Sequence, residues 1–195
     1  GSMALTGLGI TFPVIVLIAA FTSLFGQGGT PLFSIARGKK DTKEAEAILG
    51  NVFALLLGAS VILFVVCYTL RRPILFLFGA SEASYVYLQI YLLGTLFSML
   101  TTGLNGFINA QGFPKFGMIT TLLGAVINIV LDPLFIFTFN MGVRGAALAT
   151  VISQGISALW VMRFLTGKKA ILTLKRQHIR IDPARTRRIC SLGTS

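Results

Sequence analysis

Asn128-Ile129-Val130-Leu131-Asp132-Pro133 lies inside an apolar run over 116–139, and Asp132 is the only acid between Glu82 and Asp182. A lone carboxylate in a segment long enough to cross a bilayer costs roughly 2.5–3.5 kcal/mol on insertion scales. Such groups face a bundle interior or a water-filled cavity. Asn128 precedes Asp132 by four residues, so on a helix the two share a face about one turn apart. Pro133 has no N–H, which frees the carbonyl of Ile129 from its usual helical donor. Carboxylate, amide oxygen and freed carbonyl form a hard-oxygen set suited to a proton or to Na⁺.

Composition supports a membrane setting. The 195 residues are 54% hydrophobic and 12% charged, against about 25% charged in soluble domains; mean hydropathy is +0.83. The net charge of +11 would suggest nucleic acid in a soluble protein. Here the basic residues fall between and after the apolar runs, which is the positive-inside pattern, and no nucleic-acid partner is expected. Cys67 and Cys190 lie far apart with no CxxC or Cys/His cluster, so both read as free thiols and no zinc-type site is expected. The one histidine, His178, reads as a solvated surface residue. Gly1-Ser2-Met3 reads as an expression scar.

Five apolar segments are expected, over 8–33, 47–70, 84–107, 116–139 and 146–165. They make an all-α membrane protein, a bundle of about five transmembrane helices over 4–167. Gly26-Gln27-Gly28-Gly29 and Arg37-Gly38-Lys39-Lys40 do not match a phosphate loop, because Phe33 stands where its first glycine belongs. The glycines are expected to permit close helix packing. Asp41-Thr42 and Glu44 start the second helix, and Arg71-Arg72-Pro73 end it. Residues 74–78 are too short to span and read as an interfacial turn. Tyr85, Tyr87 and Tyr91 are placed as an aromatic belt. The polar stretch 109–115 is a hinge. The tail from Lys168 to Arg188 mixes basic residues with Ile171, Leu172, Leu174, Ile179 and Ile181, a pattern suited to a membrane surface. Alternating the five spans divides the 17 Lys and Arg into 14 on one side and Arg71, Arg72 and Arg144 on the other. The C-terminus is then cytoplasmic and the N-terminus exterior, which suggests a missing preceding helix.

The fourth and fifth segments turn near Met141. Asp132 and Thr150 are each nine residues from it, and so at about the same depth. Small or polar faces run along both, Gly117, Thr121, Gly124, Asn128, Asp132 on one and Gly142, Ala146, Thr150, Ser153, Ser157 on the other. If these faces pack, the Asp132 carboxylate is expected within about 6–7 Å of the Thr150 hydroxyl. The alternative is a structural acid paired with Arg144, with the small faces serving packing alone. Against it, Arg144 sits shallower than Thr150 by about 9 Å.

Asn128-Ile129-Val130-Leu131-Asp132-Pro133-Leu134-Phe135-Ile136-Phe137, followed by Gly142-Val143-Arg144-Gly145-Ala146-Ala147-Leu148-Ala149-Thr150, resembles the MATE (multidrug and toxic compound extrusion) transporters. Ser34-Ile35-Ala36-Arg37-Gly38-Lys39 and Gln111-Gly112-Phe113-Pro114-Lys115 resemble the same family at matching intervals. The resemblance implies an antiporter of two six-helix lobes in the cell membrane, exporting cationic amphipathic compounds against Na⁺ or H⁺. It implies cation-site roles for Asn128, Asp132 and Thr150, and a backbone carbonyl from Ala146. The chain then corresponds to a partial N-terminal lobe, the second to sixth helices, with residues 168–195 as the basic cytoplasmic linker between lobes. The first helix and the C-terminal lobe are the missing partners, alongside the bilayer and drug or dye substrates. No cofactor beyond the coupling ion is expected, and such a partial lobe is expected to be inactive alone. A non-transporting scaffold or a flippase-related bundle is the alternative. No paired carboxylates or nucleophile–base grouping suggests an enzyme.

Overall fold

The computed structural model describes residues 2–70 and 82–194. Among these, every regular element is helical: α1 Ser2–Gly38, α2 Thr42–Thr69, α3 Glu82–Leu93, α4 Thr95–Ala110, α5 Pro114–Pro133, α6 Val143–Thr166 and α7 Pro183–Gly193, with a π-helical turn Leu134–Thr138 and a 3₁₀ turn Arg176–His178. Four stretches are long and apolar enough to cross a membrane: Phe12–Gly38, Thr42–Thr69, Pro114–Thr138 and Val143–Thr166. The fifth expected span is present as a broken one. α3 and α4 meet at 54°, and the break falls at Gly94, where a Cβ would lie 2.8 Å from Val151 Cγ2 on α6. Arg71-Arg72-Pro73 and the expected turn at 74–78 lie outside the described residues.

Local chemistry sets the helix ends. Asp41 caps α2 by accepting the Glu44 N–H at 3.0 Å, which satisfies one of the orphan donors of a first turn. Pro114 opens α5, where its missing N–H costs nothing. α1 runs past the expected end at 33, and Pro31 does not stop it. The neighbouring Thr30 hydroxyl donates to the Gly26 carbonyl at 2.7 Å, and the helix continues to Gly38.

The core lies where α1, α2 and α4 meet. Phe33 and Phe107 are fully buried and pack edge to face at 5.2 Å, beside the buried Leu49, Leu56, Met99 and Leu104. The α1 glycines serve packing, as expected. A Cβ on Gly26 would lie 2.8 Å from the Gly103 carbonyl oxygen of α4, and one on Gly28 would strike the Ile189 carbonyl of α7. Backbones that approach this closely gain dispersion contacts that lipid cannot match. α5 is different: only Gly117 and Thr120 are buried. Its outer face, with Met118, Leu122, Val126, Ile129 and Val130, is exposed and apolar, as a lipid-facing surface must be.

The tail folds back on the bundle rather than lying out along a membrane surface. Leu172, Leu174 and Ile189 are buried. The Leu172 N–H donates to the buried Gln111 side chain at 2.9 Å, and Lys175 pairs with Glu46 of α2 at 2.8 Å. His178 is half-buried, its Nδ1 3.6 Å from the same Glu46 carboxylate, instead of solvated. Arg185 of α7 binds Glu44 through Nε and Nη2, the latter at 2.7 Å, and Asn51 accepts the Asp182 N–H at 3.2 Å. Composition suggested a surface segment because it cannot register that the acids of the first turns of α2 lie beneath these cations.

Candidate cation site

α5 and α6 form the expected hairpin, closed by a turn in which Asn140 and Gly142 both take positive φ. Gly142, at φ 54 and ψ −129, sits in a region that side-chain-bearing residues avoid. Just past it, a Cβ on Gly145 would lie 2.8 Å from the Phe135 carbonyl carbon, so the two arms touch backbone to backbone. Further along, a Cβ on Gly124 would lie 2.8 Å from Ser157 Oγ, whose hydroxyl donates to the Thr120 carbonyl at 3.4 Å. The small faces therefore pack in part, with two changes of membership. Thr121 is exposed and its hydroxyl turns back to Met118; Thr120, buried, takes its place. Gly117 faces α4 rather than α6, against Asn109, and its carbonyl accepts from Asn105 at 3.2 Å.

The helix does not end at Pro133. It changes register there into the π turn, because the proline supplies no donor to the carbonyl four residues back. Such turns concentrate at functional sites. Asn128 Nδ2 donates to Asp132 Oδ1 at 3.5 Å. Both side chains are half-buried. Among the described residues no basic group lies within 4.0 Å of the Asp132 carboxylate, and Arg144 is exposed. The alternative pairing with Arg144 is therefore not formed. On α6 the Thr150 hydroxyl donates to the Ala146 carbonyl at 3.0 Å.

A residue assigned to the aromatic belt completes the group. Tyr87 of α3 lies near both Thr150 and Asp132. It stacks on Tyr91 at 6.0 Å with the rings 14° apart. The bend at Gly94 and its contact with α6 carry α3 across the hairpin. The spacing of four between Tyr87 and Tyr91, one face of a helix, was the available signal. Asn128, Asp132, Thr150 and Tyr87 thus form one polar group across α5, α6 and α3, with the Ala146 carbonyl beside it. The atoms that could hold a cation are all oxygens. Among the described residues no three acids, histidines or cysteines cluster, so one carboxylate with neutral oxygens fits a monovalent ion or a proton better than a divalent metal.

The MatE family model matches residues 1–134. The chain belongs to the MATE family. Multidrug export protein MepA of Staphylococcus haemolyticus (strain JCSC1435) is 30% identical over 196 residues, 98% of this chain and 43% of its own length. Probable multidrug resistance protein YpnP of Bacillus subtilis (strain 168) is 27% identical over 175 residues, 88% of this chain and 39% of its own. Among solved structures, an inward-facing multidrug resistance MATE family transporter of the MOP superfamily superposes with a TM-score of 0.92 at 25% identity, over 100% of this chain and 45% of the other. MATE in complex with Br-NRF gives 0.85 at 27% identity, over 97% of this chain and 45% of the other. This MATE chain is thus a multi-pass membrane protein that spans less than half the length of the relatives it matches.

Proposed function

We propose that this chain forms part of a cation-coupled multidrug exporter of cationic, amphipathic compounds, in which Asn128, Asp132, Ala146 and Thr150 take part in binding Na⁺ or H⁺ and Tyr87 orders them. The observation that carries this reading is the grouping of Asn128, Asp132, Thr150 and Tyr87 among apolar helices, with no basic group within 4.0 Å of the carboxylate among the described residues. A carboxylate so placed needs either a proton or a cation to offset its desolvation. Access that alternates between the two membrane faces would load and release that ion, and the exchange would drive export. The test is Asp132→Asn in a full-length MATE protein carrying this sequence, which keeps shape and removes charge. Export of an ethidium-like dye under an ion gradient is expected to fall at least about tenfold, as loss of a coupling charge demands. Export at the parent's rate would remove Asp132 from the coupling site.

These 195 residues by themselves are proposed not to transport. Alternating access in such transporters moves one bundle against another, and the chain matches less than half of its relatives. Reconstituted in liposomes with a Na⁺ or pH gradient, the chain is expected to give no gradient-driven dye flux. Flux that Asp132→Asn abolishes would show that a partial lobe suffices.

A further inference from the structure

At the base of the α5–α6 hairpin, opposite the Asn140 turn, lies a cleft of about 470 Å³ lined by Phe116, Trp160, Phe164, Arg163, Lys168 and Lys169. Its floor is aromatic. Phe116 stacks on Trp160 at 6.0 Å and packs on Phe164 at 5.0 Å. Its rim is cationic, and Lys169 Nζ stands 5.5 Å above the Phe116 ring. The chain's other basic residues at this end are partly committed: Lys175 to Glu46, Arg185 to Glu44 and Asp182. Arg163, Lys168 and Lys169 have no acid within 4.0 Å among the described residues, and all three are exposed. The Trp160 ring, stacked on Phe116, forms part of the cleft wall.

We propose that this cleft binds the headgroup phosphate of an anionic phospholipid. Three unpaired cations supply the charge. The aromatic floor receives the glycerol and upper acyl carbons. The depth fits. Trp160 lies six residues, about 9 Å, from the end of α6 at Thr166, the level at which tryptophans sit at a membrane interface. Basic pockets between helix ends bind lipid headgroups by this chemistry. A zwitterionic lipid offers the same phosphate, but its ammonium would meet three cations and no acid.

Trp160 is the chain's one tryptophan, so its fluorescence reports the cleft directly. The full chain in neutral detergent micelles is titrated with phosphatidylglycerol brominated in the acyl chain, and in parallel with the matching phosphatidylcholine. Phosphatidylglycerol is expected to quench at about tenfold lower mole fraction, the scale that a few basic contacts near a surface give. The combined substitution Arg163→Gln, Lys168→Gln, Lys169→Gln should erase that preference. If it misfolds by circular dichroism, Lys168→Gln with Lys169→Gln, at two exposed positions, should still reduce it severalfold. Removing three charges elsewhere, by Lys39→Gln, Lys40→Gln and Lys43→Gln, should leave it intact. Equal quenching by the two lipids, an unchanged preference in the cleft variants, or its loss in the remote variant would overturn the site. Displacement of the lipid by millimolar inorganic phosphate would overturn its assignment to a lipid.

Discussion

Tyr87 joins two helices that the sequence already paired. It lies beside both Thr150 and Asp132, between the acid of α5 and the hydroxyl of α6. A phenol so placed offers a polar group to both before an ion arrives, and the ion then has less ordering to impose. Tyr87→Phe removes that hydroxyl and little volume. A net bond contributes about 1 kcal/mol. In a full-length MATE protein carrying this sequence, the Na⁺ or H⁺ concentration for half-maximal export is therefore expected to rise about fivefold, with expression and thermal unfolding unchanged. An unaltered ion dependence would return Tyr87 to a packing role. Asn128 and Asp132 were legible by their spacing on one helix. Tyr87 was not, because nothing local says which way α3 leans before the break at residue 94.

At the scale of elements, glycines decide where helices and tail touch. Gly50 is buried on α2, and a Cβ there would strike the His178 carbonyl of the docked tail. Gly50→Val is expected to lift the tail from α2. The overpacking costs about 1–3 kcal/mol, drawn from the tail's contacts and not from α2, whose other neighbours are undisturbed. Amide exchange of the tail between Leu172 and Arg185 should speed up while that of α1 and α4 stays slow. Uniform acceleration across all helices would mean that the tail is integral to the bundle's stability. The electrostatic side of the same docking is testable at Glu44. Its pair with Arg185 is about two-thirds buried at both ends, and Glu44→Gln should weaken docking by about 1 kcal/mol, read by the same exchange measurement. A change indistinguishable from zero would leave the docking to apolar contacts alone.

For the whole molecule, acid and orientation give separate tests. The Arg185 N–H bonded to Asp182 holds its carboxyl below the usual aspartate range against a smaller desolvation effect, helped by the Ala184 N–H and by the charges of Arg185 and Arg180. A group depressed by capping α7 stabilises that helix above its ordinary range, and that contribution fades as pH falls through its lowered value. Tail protection is thus expected to hold from pH 7 to about 5 and to decline below about 4. Protection that instead declined on raising pH would reverse the assigned sign. Orientation follows from the basic residues at the end bearing Lys39, Lys115 and the tail. Cys67 is buried and cannot serve as the exterior reporter. Introduced thiols at exposed positions can: Asn140→Cys should react with an impermeant reagent on intact cells, and Lys39→Cys should not. The reverse pattern would invert the topology.

Membrane class, span number, the hairpin and the Asn128–Asp132 pair were determined by the sequence alone, because each depends on local quantities: run length, helical spacing, a proline without a donor. The family resemblance rested on the same contiguous stretches and agrees with the MatE match over residues 1–134. What only the tertiary structure decided depends on contacts between distant segments. The break at Gly94 meets Val151, and Thr120 in place of Thr121 is buried where α5 packs on Ser157. The tail's fate is the clearest case. Its basic and apolar residues fit a lipid surface as well as a protein one. The choice came from Glu44, Glu46 and Asn51, more than a hundred residues earlier in the chain. Periodicity cannot report such a partner, because it carries no information about which faces meet.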